Sequence, residues 1–93
     1  MSAQDSTENL TIHHRVKNYA TWRKGYDANE QNRVSAGLKN GKVFRNPEDE
    51  NDVVVIADVA NVAKAQTWFN SSDVKAEMQK SGVLGSPSIR FAA

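Results

Sequence analysis

The stretch VVVIADV at residues 53–59 is the most convincing β-strand in the sequence, because β-branched side chains dominate it and a polar segment precedes it. Its first five residues are all apolar, so their alternating side chains make both faces of the surrounding sheet hydrophobic. A strand tolerates this pattern only when both faces of its sheet are covered. The stretch therefore predicts a sheet with helices of its own chain on one face and a second protein surface on the other.

The sequence before this strand predicts a strand and a helix at the start of the domain. Residues 10–17 alternate apolar and polar side chains, which indicates a first strand. A helix is expected over residues 18–37, with Asn18 as its N-cap and Gly37 as its C-terminal stop. Gly25, inside this helix, is either simply tolerated or allows another backbone or a ligand to approach closely. The helix carries one stripe of larger side chains: Tyr19, Trp22, Tyr26, Arg33 and Val34.

The remaining segments complete a βαββαβ order. Residues 38–45 predict a second strand, which a polar turn at residues 46–52 joins to the third as an antiparallel hairpin. Two helical pieces follow, the first capped by Asn61, and residues 88–91 form the closing strand. This order is that of the ferredoxin-like α+β fold, a four-stranded antiparallel sheet with both helical segments on one face. A second copy is the economical cover for the other face, so we predict a two-fold homodimer.

Composition excludes several functional classes. With 93 residues, of which 39% are apolar and 25% charged, the chain fits one domain at residues 10–93 after a frayed tail at residues 1–9. Twelve basic and eleven acidic residues are interspersed, which gives no electrostatic case for nucleic acid. No apolar run approaches the roughly 20 residues of a membrane span, so no membrane partner and a cytoplasmic location are expected. The absence of cysteine excludes disulfides, thiolate nucleophiles and Cys-based metal sites.

Several motifs along the chain share the pattern of one known superfamily. They are HRVKNY at residues 14–19, Trp22, YD at 26–27, Arg33, Gly37, VFRNP at 43–47 and MQKSGV at 78–83. Over about residues 10–91 the chain resembles the dimeric α+β barrel superfamily, in particular small bacterial proteins labelled "cyclase" or related to antibiotic biosynthesis monooxygenases. The resemblance implies a homodimer that closes a β-barrel, with a pocket between helix and sheet in each protomer. Members include cofactor-independent monooxygenases, polyketide cyclases, lactone isomerases, heme-binding enzymes and stress-responsive proteins.

The predicted pocket combines the inner face of the first strand with the stripe of the first helix. His14 is the candidate base and Arg33 the candidate anchor for an oxyanion, a mixture that suits a small, weakly acidic aromatic ligand. The candidate substrate-binding side chains are aromatic or apolar: Trp22, Tyr26, Phe44, Trp68, Phe69 and Met78. Each has a structural alternative: the histidine and the aromatic residues belong to a packed core, and the arginine is solvated or pairs with Asp27 or Glu30.

Two classes of function follow, and neither requires a cofactor. The first is a cofactor-independent monooxygenase or cyclase-type enzyme acting on a small aromatic or polyketide-like compound. The second is a non-catalytic ligand-binding or stress-associated dimer. No metal is expected, because His13 and His14 point to opposite faces of a strand, and the acidic residues 48–52 lack the spacing of a calcium loop. A heme held by either histidine is a minor alternative, since the heme-binding members are usually longer.

Overall fold

The order of strands and helices confirms the ferredoxin-like prediction. The computed structural model describes residues 8–92. Its elements are β1 (Glu8–Val16), α1 (Tyr19–Ala28), α2 (Glu30–Ser35), β2 (Leu38–Asn46), β3 (Asp49–Val59), α3 (Val62–Phe69), α4 (Ser72–Lys80) and β4 (Val83–Ala92). Of the predicted tail, residues 1–7 lie outside the described residues, and β1 begins two residues earlier than expected, at Glu8.

All four strands form one antiparallel sheet in the order β2-β3-β1-β4. The central strand β1 places Ile12 opposite Val55 on one side and opposite Ile89 on the other. The predicted helix caps are present, since Asn18 Oδ1 accepts from the Thr21 backbone N–H at 3.0 Å. Asn61 Oδ1 does the same for Lys64, at 2.9 Å. Each cap satisfies one of the backbone donors that a helix start leaves free.

The inner face of the sheet, which the helices cover, holds the core. The odd-numbered residues of β3 from Val53 to Val59 and the even-numbered residues of β1 from Leu10 to Val16 point to this face and are buried, His14 among them. Helical side chains pack onto these strands, including Trp22, Phe69 and Val74. The two-period pattern of the strands thus meets the apolar sides of α1, α3 and α4 in one hydrophobic cluster.

The outer face of the sheet, on the side away from the helices, exposes apolar side chains. Phe44 is 51% exposed, Leu84 46% and Ile56 38%. Two ion pairs lie on the same face: His13 with Asp52, and Arg15 with Asp49, each at 2.6 Å. The apolar run at residues 53–57 predicted a sheet that is hydrophobic on both faces, and it does place Ile56 on the face away from the helices.

A β-bulge in β2 overturns the prediction that Phe44 lies in the pocket wall. Leu38 and Phe44 are six residues apart, so regular alternation puts both on the inner face. Between Lys39 and Lys42, however, the register against β3 shifts by one extra residue, and Asn40 has a φ of 56°. The extra residue reverses the alternation. Val43 consequently packs against the core, while Phe44 is paired with Val54 on the outer face.

The predicted first helix is divided in two at Asn29. This residue is both the C-cap of α1 and the N-cap of α2, and its φ of −97° and ψ of 13° depart from regular helical geometry. Arg33 in α2 still lines the cavity between helices and sheet, whereas Val34 is 53% exposed.

Two strands are longer than expected. The hairpin turn contains only Pro47 and Glu48, because the acidic residues that follow are held in β3 by cross-strand contacts with His13 and Arg15. Similarly, β4 begins at Val83, which pairs with Val16 before residues 85–87 bulge out opposite His14.

Candidate functional site

A cavity of about 90 Å³ lies between the inner face of the sheet and the helices. Its floor is apolar and is formed by Leu10, Ile12, Leu38, Val55, Ala57, Phe69 and Val74. Its polar or aromatic lining residues are His14, Trp22, Tyr26, Asn29, Arg33, Trp68, Glu77 and Ser81. An apolar chamber with a few convergent polar groups is the usual form of a small-molecule site.

Three rings form one wall of this cavity. The His14 and Trp22 rings meet edge to face, with centroids 5.3 Å apart. The Trp22 and Tyr26 rings stack at 5.0 Å, as expected for residues one helical turn apart on α1. Because strand β1 and helix α1 present these side chains from opposite sides, the wall is fixed by two rigid elements and offers flat surfaces to a planar ligand.

His14 is buried, with only 7% of its surface exposed, and its Nδ1 has no hydrogen-bond partner within the part of the chain that the structure describes. Its pKa is lowered from 6.5 to about 4, mainly by burial and secondarily by the neighbouring His13, with Asp52 partly opposing both. The imidazole is therefore neutral at pH 7. An unpaired buried nitrogen is costly, and a ligand that supplies a hydrogen-bond donor to it removes that cost.

Arg33 closes the cavity above Tyr26. Its guanidinium lies 3.6 Å from the centroid of the Tyr26 ring and donates to the Tyr26 backbone carbonyl. Burial lowers its pKa. The carboxylate of Asp27, a partner considered from the sequence, instead binds Arg23 at 3.0 Å. Among the described residues Arg33 forms no ion pair, so most of its five N–H donors are free for an anionic group.

Two glycines make the close packing around this cavity possible. A Cβ at Gly25 would lie 2.9 Å from Ser81 Cβ, so α1 and the end of α4 approach each other only because residue 25 has no side chain. Of the two alternatives for Gly25, simple tolerance or close approach of another segment, the structure supports close approach. A Cβ at Gly41 would lie 2.6 Å from the Tyr26 hydroxyl oxygen. The bulge in β2 thus also makes room for the tyrosine that supports Arg33.

The structure brings most of the predicted site residues together and adds three polar residues, Asn29, Glu77 and Ser81. Trp68, Phe69 and Met78 line the cavity with the residues described above, whereas Phe44 does not. Sequence reasoning missed Glu77, which lies in α4 beside Met78 and one turn after Val74. The helical spacing of residues 74, 77 and 81 contained this signal.

The described residues contain no group of three or more His, Asp or Glu side chains placed to hold a metal ion. A heme does not fit either, since a cavity of about 90 Å³ is far smaller than a porphyrin, and His13 lies on the outer face against Asp52. Within residues 8–92, no helix has the length and apolar character needed to cross a membrane.

Comparison with known proteins finds relatives of the fold. No model of a known protein family matches the sequence, and no curated protein does. Among solved structures, a Bordetella bronchiseptica protein provisionally named an antibiotic biosynthesis monooxygenase is similar with a TM-score of 0.77 at 13% identity, covering 94% of this chain and 95% of that one. SnoaB, a cofactor-independent oxygenase from Streptomyces nogalater, has a TM-score of 0.69 at 10% identity, over 94% and 93% of the two chains.

A third similar structure contains a ligand. It is a monooxygenase from the gene ActVA-Orf6 of Streptomyces coelicolor, in complex with nanaomycin D, with a TM-score of 0.62 at 18% identity over 98% of this chain and 89% of that one. Identities this low show a shared fold. At that level they confirm the likeness to antibiotic biosynthesis monooxygenases inferred from the sequence.

Proposed function

We propose that the protein binds a small aromatic compound in the cavity between sheet and helices and acts on it as a cofactor-independent oxygenase or cyclase-type enzyme. The observation that carries this proposal is the buried, unpartnered Nδ1 of His14 beside the stacked rings of Trp22 and Tyr26. A planar ligand with a hydroxyl group pairs that nitrogen and stacks on those rings. The shared fold with cofactor-independent oxygenases is additional support.

The chemistry we propose is proton handling at a hydroxyl group of the ligand. His14 is neutral at pH 7 and accepts a hydrogen bond, and then the proton, as negative charge develops on the ligand oxygen. Arg33 places a positive charge in the same cavity, where poor solvation strengthens its effect on an oxyanion. A nearby oxyanion also raises the pKa of the imidazole, so the bound ligand itself makes His14 a better base.

The size of the cavity restricts the ligand. About 90 Å³ is less than the roughly 150 Å³ of an engineered apolar cavity that binds benzene. A compound with one ring therefore fits only with small side-chain shifts, for which the flexible Met78 in the wall is suited. We accordingly propose a monocyclic substrate rather than a fused polycyclic one.

We further propose that the active form is a homodimer whose protomers pack through the outer face. The exposed Phe44, Ile56 and Leu84 lie on the same face as two ion pairs formed within the protomer, His13 with Asp52 and Arg15 with Asp49. Such a face can be covered by a second copy without leaving those charges unpaired.

A second candidate, a non-catalytic ligand-binding dimer, is favoured by the low pKa of His14, about 4. A base with so low a pKa provides little driving force for removing a proton from the ligand, because general bases act best with a pKa near the working pH. In this case the same cavity holds its ligand without chemical change.

The experiment that separates the candidates uses phenol and 1,4-dihydroxybenzene. Binding is followed by the fluorescence of Trp22 and Trp68, and oxygen uptake by an oxygen electrode. Ala57→Val, which narrows the cavity, should weaken binding, whereas Ala63→Val on α3, outside the lining, should not. His14→Ala should lower turnover by about two to four powers of ten while binding persists. Binding without turnover in the wild type selects the second candidate, and no binding overturns the proposed site.

A further inference from the structure

Glu77 lies where the cavity meets a second, open depression. That depression, the α2/α4 groove, has a volume of about 690 Å³ and is lined by residues of α2, α3 and α4. Four residues line both the groove and the cavity: Asn29, Trp68, Val74 and Glu77. The groove and the cavity therefore adjoin, and Glu77 lies at their junction.

The carboxylate of Glu77 has no ionic partner. No Lys, Arg or His nitrogen of residues 8–92 lies within 4.0 Å of it, although Asp27, Asp49 and Asp52 are each paired. Arg33 lines the same cavity but is held on the ring of Tyr26. A half-buried carboxylate without a cation gains from any ligand that supplies one.

Glu77 sets the net charge of the groove lining. The other charged residues of the groove are Lys64 and Asp73, one positive and one negative. The Glu77 carboxylate is therefore the uncompensated charge of this lining, and it raises the local concentration of cations at the junction. Further in, the cavity wall becomes aromatic and apolar.

From this juxtaposition we infer that Glu77 selects a ligand that carries a protonated amine next to a single aromatic ring. The ring occupies the cavity against Trp22 and Tyr26, and the ammonium group binds the Glu77 carboxylate at the junction. This inference rests on the proposed function, because it assumes that the cavity binds an aromatic ring. It assigns Glu77 to substrate recognition and narrows the substrate class to small aromatic amines.

The test compares two probes of nearly equal shape, benzylamine and benzyl alcohol, titrated at pH 7 by tryptophan fluorescence. Wild-type protein should bind benzylamine about tenfold more tightly, the scale of a hydrogen bond between charged groups. Glu77→Gln should remove this preference while leaving benzyl alcohol binding within about twofold. Asp73→Asn is the matched control, since it removes the same charge from the groove but not from the cavity lining, and it should retain most of the preference.

A second measurement needs no variant and so does not depend on how Glu77→Gln folds. Raising the salt concentration should weaken benzylamine binding to the wild type and leave benzyl alcohol binding unchanged. If both probes bind equally in wild type and variant, the role of Glu77 is wrong and the aromatic cavity stands. If neither probe binds, the proposed function fails as well.

Discussion

The two faces of the sheet are contrasting environments for the same residue type, as the neighbouring His13 and His14 show. His14 points to the inner face, is 7% exposed and has its pKa lowered to about 4. His13 points to the outer face, its side chain is 55% exposed, and its Nε2 lies 2.6 Å from Asp52. That contact lowers the pKa of the Asp52 carboxyl, mainly through the hydrogen bond. Adjacent positions in one strand thus differ in solvation and in hydrogen-bond partner, because the side chains of a strand alternate between its faces.

This contrast indicates that the two faces are suited to different kinds of binding partner. On the inner face, burial without partners leaves groups that a ligand can satisfy, namely the nitrogen of His14 and the carboxylate of Glu77. On the outer face, two ion pairs within residues 8–92 hold His13, Arg15, Asp49 and Asp52, and large apolar side chains are exposed beside them. The inner face is therefore suited to a small polar-tipped molecule, and the outer face to another protein surface.

Truncating one aromatic side chain on each face is the strongest test of this contrast. Trp22→Ala should lower the free energy of unfolding by about 3 to 5 kcal/mol, because Trp22 is 4% exposed and contacts both rings of the cavity wall. Phe44→Ala should cost less than about 1 kcal/mol within the protomer. Urea denaturation measures both values. Equal losses would mean that the outer face is as tightly packed as the inner one.

The pH dependence of stability should distinguish the two histidines next. Above pH 6.5, His14 is neutral in both folded and unfolded chains, so its protonation does not change the free energy of unfolding. As the pH falls from 6.5 to about 4, the unfolded chain binds a proton that folded His14 refuses, so stability falls by about 3 kcal/mol. Urea denaturation between pH 7 and pH 4 should show this loss. His14→Leu should abolish it, whereas His13→Gln should keep it; an unchanged loss in His14→Leu assigns it to other groups.

A charge placed on the outer face should disturb assembly more than folding. Ile56→Asp should weaken the proposed homodimer about hundredfold, because a carboxylate in the apolar contact must be desolvated on association even with Lys42 opposite it. Val34→Asp, at an exposed apolar position on α2, is the control and should leave the dimer intact. Sedimentation at several concentrations gives the dissociation constants. A wild-type protein that stays monomeric at every concentration would contradict the proposed dimer.

The smallest expected effect concerns the helix that closes the inner face. Gly25→Ala adds a Cβ about 2.9 Å from Ser81 Cβ, and this crowding should outweigh the gain in helix propensity, for a net loss of about 1 kcal/mol. In a Ser81→Gly background the crowding is relieved, and Gly25→Ala should become stabilising. Thermal melts of the wild type, the two single variants and the double variant give the melting temperatures that this double-mutant cycle compares. Stabilisation by Gly25→Ala alone would show that the two helices have room to separate.

The sequence was sufficient for the fold because its signals were local and consistent. Alternation in residues 10–17, the apolar run at 53–57 and the caps Asn18 and Asn61 each predicted elements that are present. Their order left one compact arrangement of strands and helices. Most of the cavity lining followed, since strand parity and helical spacing decide which side chains meet.

The errors share one physical cause, an interruption of regular periodicity. Phe44 was misplaced because a bulge between Lys39 and Lys42 reverses the alternation. Val34 was misplaced because the helix is divided at Asn29. Asn29 and the pair Asn40-Gly41 are residue types that favour interrupted backbone, but they do not show from sequence alone whether a strand or helix is broken there or how many residues the break adds. Glu77 was missed for another reason: its helical spacing from Val74 and Ser81 indicates the cavity side of α4, but a charged residue on a helix is usually solvated.

The extra residue in β2 acts on that strand as a frame shift acts on a reading frame. Every side chain after it up to Arg45 has the opposite orientation to the one that counting from Leu38 predicts. Deleting one residue at the bulge should bring the Phe44 ring under the helices and turn Val43 outwards. One deletion would therefore exchange a ring between the ligand chamber and the surface that meets a partner. When two chains of this fold are aligned, a gap of one residue in this strand therefore predicts a larger change in the cavity and in the outer face than any single substitution nearby.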